Sequence, residues 1–394
     1  MVKRILIVVT AVFALLLTNV SFAEHAPNLS SNSWILIDRL TNTQLASKNE
    51  NQIVNPGNGA LLMVIYTAEK IMNEKSIRFS DKIIINNDAL SIPPLNAPRF
   101  YLEPNQSISY GDLIKAIAVI GANDAAIALA EGLCQTVERF VEQMNFYSRQ
   151  LGMKNTHYSS PIGTNDKKQY TTASDTLILA NALLNEFPSL NSIWNLKKLD
   201  NGVLEHKNIN SLLWRSDSIK GMHSSEFENK YRMSVIFYSQ DFVESGTRYS
   251  RELLGITMGG EKTRAHIDDT MKLISWGAEN YKTLLIYPAT ETIERIAVEG
   301  SDNAFVKCGL SESLYVTLPR AAILKQGEKG FSIKLSRLDP LVAPIKEGEK
   351  IGDISVLFNG KIVAQSELIA LHDVQRTNAW KRLTHRIKVF LGLR

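Results

Sequence analysis

Trp34-Ile35-Leu36-Ile37-Asp38 is an apolar run that meets the polar turn Thr41-Asn42-Thr43, a pattern that predicts a strand entering a hairpin. Ala60 to Met72 is apolar and free of breakers, so it predicts a buried helix entered through the Pro56-Gly57 turn. Lys82-Ile83-Ile84-Ile85 reads as a short strand. Asp112 to Leu133 is a long stretch rich in Ala, Ile and Leu, broken at Gly121-Ala122-Asn123, where a helix end or loop is expected. Phe140, Val141, Met144, Tyr147, Ser148 and Leu151 follow helical spacing. Thr172 with Asp175 three residues later predicts an N-cap before the run Thr176 to Leu184. Met233 to Tyr238 and Leu253 to Met258 read as strands, and Asp269 to Trp276 as a helix. The whole is a mixed pattern with a helix-rich middle flanked by strands.

From about Ile293 the pattern changes. Leu314 to Leu318, Phe331 to Leu335, Ile354 to Phe358 and Lys361 to Ala364 are short strand-like runs punctuated by Gly, Pro and Asn. Asn359-Gly360 supplies two residues tolerant of positive φ and marks a hairpin. This part is expected to be a small all-β domain over residues 291–373.

The two ends have their own character. Lys3 and Arg4 precede the apolar run Ile5 to Leu17, and Ser21-Phe22-Ala23 places small residues where a signal peptidase reads. Residues 1–23 are therefore expected to be a signal peptide that directs the chain to the periplasm. An uncleaved anchor is the other reading, and the run is short for a bilayer span. At the other end, Arg376 to Arg394 contains no acid. Trp380, Leu383, Ile387, Phe390 and Leu391 fall on one helical face, with Lys381, Arg382, Arg386 and Lys388 in the remainder. Residues 374–394 are expected to form an amphipathic helix on the anionic surface of the inner membrane, with docking on the protein's own core as the alternative.

Composition narrows the classes. The chain has 394 residues, 44% hydrophobic and 21% charged, so core size is not limiting. A net charge of +4 is too small to imply nucleic-acid binding. Cys134 and Cys308 lie far apart and do not form a disulfide framework; they read as small buried hydrophobes. The sequence has no His-Glu-x-x-His, no ligand-spaced histidine cluster and no Gly-rich phosphate loop, so neither a metal nor a cofactor is expected.

Several stretches, in order, resemble the low-molecular-mass penicillin-binding proteins that act as D-alanyl-D-alanine carboxypeptidases. They are Phe100-Tyr101-Leu102-Glu103-Pro104, Asn123 to Glu131, Leu151-Gly152-Met153-Lys154-Asn155-Thr156-His157-Tyr158 and Tyr170 to Asp175. Leu314 to Arg320 and Pro344 to Gly348 are similar to the family's C-terminal β domain, and the basic tail to its membrane anchor. The resemblance implies an α/β (α+β) fold: a β-lactamase-like domain over residues 24–290, with an antiparallel sheet flanked by helices, followed by the β domain. It also implies a substrate class, peptidoglycan stem peptides ending in D-Ala-D-Ala.

The family's three active-site motifs are altered. Its first reads Ser-x-x-Lys, in which the lysine takes the serine's proton. Here those positions hold Asn58, an amide that cannot be acylated, and Leu61, which accepts no proton. The second, Ser-x-Asn, reads Gly121-Ala122-Asn123. The third, Lys-Thr-Gly, reads Lys220-Gly221-Met222 and is followed by His223. The threonine hydroxyl is lost, and Met222 puts a large side chain where a glycine lets substrate approach. Asn123, Lys220, His223 and Arg264 remain as candidate substrate contacts. For Asn123 the competing reading is a helix-end amide that satisfies local backbone, and for Arg264 a solvated surface arginine. Ser159, Ser160 and Ser174 are spare hydroxyls, but none has a lysine three residues on. The expected protein is an exported carboxypeptidase-like pseudoenzyme that binds wall peptides weakly or serves as a scaffold; an active carboxypeptidase with relocated residues is the rival.

Overall fold

Apolar strand Trp34–Asp38 does enter a hairpin, and what it packs between organises the N-terminal unit. The computed structural model describes residues 26–86, 90, 93, 97–228, 231–244, 247–260, 265–301, 305–337 and 339–377. The expected signal segment 1–23, Arg264 and the tail residues Trp380, Lys381, Arg382, Leu383, Arg386, Ile387 and Phe390 lie outside the described residues.

Strands β1 (Ser33–Asp38) and β2 (Thr43–Lys48) form the hairpin. Helix α1 (Ala60–Lys75) is buried from Ala60 through Glu69, because it runs through the middle of the core, and it ends in the left-handed Ser76. Strands β3 (Lys82–Ile84) and β4 (Ser107–Ser109) pair. The Ser109 hydroxyl then caps helix α2 (Tyr110–Ile120) by accepting from the Asp112 backbone N–H at 3.1 Å. The expected break after it is real: α2 stops at Gly121 and α3 (Asn123–Cys134) starts two residues on. Helix α4 (Val137–Gln150) is capped by Thr136, and α5 (Ala173–Glu186) by the predicted Thr172, which accepts from Asp175 N at 3.1 Å. A single turn, α6 (Asn191–Trp194), and the small hairpin β5 (Lys198–Asp200) and β6 (Glu205–Lys207) follow. Neither has enough periodic residues to show in the sequence pattern.

Strands β7 (Ile219–Phe227), β8 (Tyr231–Glu244) and β9 (Thr247–Met258) complete an antiparallel sheet ordered β2-β1-β9-β8-β7. Strands β8 and β9 run beyond the apolar windows that predict them, since their far ends pair with each other outside the core. One face of the sheet packs on α1 to α6 through a core that includes Ile35, Ile37, Val235 and Ile256. The other face packs on α7 (Ala265–Asn280) through Leu36, Ile236, Leu253 and Ile274.

Strand β10 (Tyr281–Tyr287) pairs with β13 (Leu314–Pro319), so pairing within the C-terminal unit starts ahead of the boundary expected at 290/291. Between them lie β11 (Glu294–Glu299) and β12 (Phe305–Gly309). After a short helix α8 (Arg320–Gln326) come β14 (Phe331–Arg337), β15 (Leu341–Val342), β16 (Lys350–Phe358) and β17 (Lys361–Ala370). Their sheet is ordered β14-β16-β17-β12-β11-β15. It closes over its own core of Val306, Cys308, Val316, Ile354, Val356, Phe358 and Leu368. Cys134 and Cys308 are free thiols in separate units.

A buried polar joint ties the units together. Asp38 accepts from Arg251 Nε at 3.1 Å and from the Thr283 hydroxyl at 2.6 Å. Arg251 also donates to the Gly277 and Tyr281 carbonyls at 3.1 and 3.0 Å, satisfying the end of α7. Thr283 and Thr317 hydroxyls share a 3.0 Å hydrogen bond. Removing Asp38 or Arg251 alone would leave the other's buried charge unpaired, a loss of about 3–5 kcal/mol.

Candidate active site

The turn ahead of α1 positions the first motif. Gly57 has φ +52°, and a Cβ there would lie 3.0 Å from Cβ of both Phe227 and Tyr231. Glycine is therefore required by conformation and by space. Asn55 holds the turn: its Oδ1 accepts from Gly57 N at 2.8 Å, and its Nδ2 donates to the Thr164 carbonyl at 2.9 Å. Asn58 is 4% exposed, and its Oδ1 has no hydrogen-bond partner among the described residues. Gly163 presses on that oxygen closely enough that any side chain there would collide with it. Leu61, one turn into α1, is 1% exposed within the helical core. Neither side chain offers a nucleophile or a base, and neither faces water.

The second motif sits at the α2–α3 break. Gly121 has φ +72° and caps α2, with its N–H on the Ile117 carbonyl at 3.0 Å. A Cβ there would lie 3.1 Å from Cδ1 of Ile209 and 3.8 Å from Cδ1 of Leu61, so apolar carbon now fills the space between the first two motifs. Asn123 is fully buried; its backbone N–H donates to the Pro98 carbonyl at 2.8 Å. Its side-chain oxygen and nitrogen have no partner among the described residues. The amide thus does not satisfy local backbone, which corrects the helix-end reading raised from its position. Asp124 does that work instead. Its carboxylate accepts from the N–H groups of Phe100, Tyr101 and Leu102 at 2.8, 2.9 and 3.3 Å, pinning that segment to the start of α3. The sequence signal for this role was an acid in the first helical turn.

The third motif lies on β7, the edge of the sheet. The β7–β8 register shifts between Ile219 and Met222, and Gly221 has φ +111°. A Cβ on Gly221 would sit 2.5 Å from Cβ of Trp194, so α6 rests directly on the strand. Met222 is fully buried and joins the core that α1 to α6 share. Lys220 is half-buried and within electrostatic reach of Asp241 on β8, whose carboxyl is held low chiefly by the Ser250 hydroxyl. His223 shares a sheet face with Phe227, which abuts Gly57, so it looks toward the Asn58 turn. It is 2% exposed, and its Nε2 lies 2.8 Å from the Ser225 hydroxyl. Burial first, and the charge of His266 second, push its pKa down to about 4, so it is a neutral imidazole at pH 7.

The structure therefore brings Asn58, Leu61, Gly121, Gly221, Met222 and His223 to one junction between the helical lobe and β7. Trp194, Ile209, Gly163 and Phe227 close it; each comes from a separate segment, so no local pattern marks them. Of the hydroxyls considered as replacements, Ser160 Oγ accepts from Ile162 N at 3.2 Å, and the backbone N–H groups of Ser159 and Ser160 both donate to Gln169 Oε1. A cavity of about 540 Å³ lies away from these motifs, lined by Asn28, Ser30, Asn32, Asp268, Asp269 and Lys272. Among the described residues no group of His, Cys, Asp or Glu is arranged to hold a metal, and no helix is long and apolar enough to cross a membrane.

Comparison with known proteins agrees with this architecture. A family model described as D-alanyl-D-alanine carboxypeptidase matches residues 20–226, and one described as penicillin-binding protein 5, C-terminal domain, matches 281–376. D-alanyl-D-alanine carboxypeptidase DacC of Escherichia coli (strain K12) is 27% identical over 364 residues, covering 91% of this chain and 88% of the relative. D-alanyl-D-alanine carboxypeptidase DacD of Salmonella typhimurium is 25% identical over 393 residues, 98% of each. The crystal structure of penicillin binding protein 5 from Haemophilus influenzae superposes with a TM-score of 0.75 at 25% identity, covering 90% of this chain and all of that one. From the matched segments and the shared fold, the chain belongs to the D-alanyl-D-alanine carboxypeptidase family and carries a C-terminal β domain of the penicillin-binding protein 5 type.

Proposed function

We propose that this protein is a catalytically silent member of its family, exported to the periplasm and held at the inner membrane by residues 374–394. In this reading it binds peptidoglycan stem peptides weakly or acts as a scaffold in wall metabolism. The observation that carries the reading is the state of the α1 entrance. Where acyl transfer requires an activated hydroxyl and a proton acceptor one turn apart, the chain has the buried amide of Asn58 and the buried alkyl group of Leu61. Trp194 on Gly221 and the buried Met222 support it, since both occupy the edge along which a substrate would lie. Asn123, Lys220, His223 and Arg264 are the residues we assign to any remaining peptide contact.

A fluorescent penicillin separates this proposal from an active enzyme with relocated residues. The purified mature chain is expected to show no covalent label under conditions that label an active relative. A labelled band that unlabelled penicillin abolishes would overturn the proposal.

A further inference from the structure

One face of the β domain sets cations beside exposed apolar groups. Residues 295–299 of β11 and 305–308 of β12 alternate, with Ile296, Val298, Val306 and Cys308 inward and Arg295, Ala297, Glu299, Phe305 and Lys307 outward. The register sets Arg295 directly opposite Lys307, and Ala297 opposite Phe305. Like charges facing each other across a ladder weaken it. Among the described residues, neither cation has a side-chain hydrogen bond or an ion pair to offset this. Next to that pair, Phe305 is 55% exposed. Val342, which pairs with Glu299 and so lies on the same face, is 51% exposed. Two bare cations beside two bare apolar groups is an amphipathic surface built on a rigid sheet.

Its position says what covers it. Arg376 bridges to Ser301, and Thr377 N donates to the Gly300 carbonyl at 2.8 Å, so the chain leaves the β domain at the β11–β12 end. Beyond Thr377 the sequence continues into the acid-free segment with Trp380, Leu383, Ile387 and Phe390. The tail thus leaves beside Glu299 and Val342, and by sequence its cations have the same sign as Arg295 and Lys307 further along the hairpin. Glu299 is the one acid among the outward residues of β11 and β12, at the far end from Arg295 and Lys307.

We propose that this face is a second membrane contact. Arg295 and Lys307 bind anionic lipid headgroups, Phe305 and Val342 enter the interfacial layer, and the β domain lies on the bilayer by this face rather than hanging from a flexible anchor. The proposal rests on the reading of residues 374–394 as a membrane anchor and adds an orientation to it.

The test measures binding of the mature chain to vesicles containing anionic phospholipid, for the parent protein, for Arg295→Gln with Lys307→Gln, and for Phe305→Ser. All three side chains are exposed, so folding is preserved and is checked by thermal unfolding. The double charge variant is expected to bind on the order of 10- to 30-fold more weakly, since each cation near an anionic surface contributes several-fold. Phe305→Ser is expected to lose roughly tenfold. Unchanged affinity in both variants overturns this inference alone. A parent chain that does not bind the vesicles overturns the anchor reading and this inference with it.

Discussion

Gly221→Ala tests most directly whether the edge of β7 at Gly221 is interior. Two penalties act on the same added atom. At φ +111° an alanine is held in a region that L residues rarely adopt, which costs of order 1–3 kcal/mol. The new Cβ would also lie 2.5 Å from Cβ of Trp194, well inside ordinary carbon contact. Trp194 is 1% exposed and cannot swing aside, and forced overpacking of this kind costs about 1–3 kcal/mol. Together they give a loss of roughly 2–6 kcal/mol, a large share of the ~5–15 kcal/mol that holds a typical domain. For a unit of this size, 1 kcal/mol moves Tm by roughly 2–4 °C, so the melt should fall by about 5 °C or more. The assay is calorimetric unfolding of the full mature chain, with the transition of the N-terminal unit followed separately from that of the β domain. Gly221→Thr, which restores the family's side chain, should be at least as damaging. If Gly221→Ala melts within about 1 °C of the parent, Trp194 does not rest on the strand and the closed-edge argument fails.

Two further outcomes are expected. Asn58→Ser with Leu61→Lys should not restore acylation by penicillin or hydrolysis of a D-Ala-D-Ala peptide at rates typical of the family. The new lysine would enter a site that is 1% exposed, where burial drives its pKa down, and Gly121 and Met222 would stay unchanged; family-like turnover by this variant would refute the reasoning. Glu69 is buried on α1 with Oε1 unpaired, and burial pushes its pKa up to about 7. The folded state thus favours the protonated acid, so stability is highest below the unfolded pKa near 4.5 and is lost as pH rises through about 7. Glu69→Gln should flatten that slope and raise stability at pH 8 by on the order of 2 kcal/mol; identical urea midpoints for the two proteins from pH 5 to 8 would count against it.

How much was legible depended on how local the signal was. The hairpin at Thr41–Thr43, the entry to α1, the break at Gly121–Asn123 and the Thr172 cap all rest on contacts within a few residues, and the structure has each of them. The single turn α6 and the three-residue strands β5 and β6 carry too few periodic positions to register. The identities of Asn58, Leu61, Gly121, Gly221 and Met222 were also plain, because residue identity needs no fold to be read.

The sequence by itself therefore determined that Asn58 and Leu61 stand at the entry to α1, and that the chain divides into a helix-and-sheet unit followed by a β unit. Only the tertiary structure decided what surrounds these positions. Trp194 reaches Gly221, Ile209 and Leu61 meet at Gly121, Gly163 presses on Asn58, and Asp124 holds Phe100 to Leu102. It likewise set Arg295 opposite Lys307. Each of these contacts joins residues on separate elements. Their meeting is fixed by sheet register and by the packing of α6 and α1 against β7, which no local pattern of apolar and polar positions encodes.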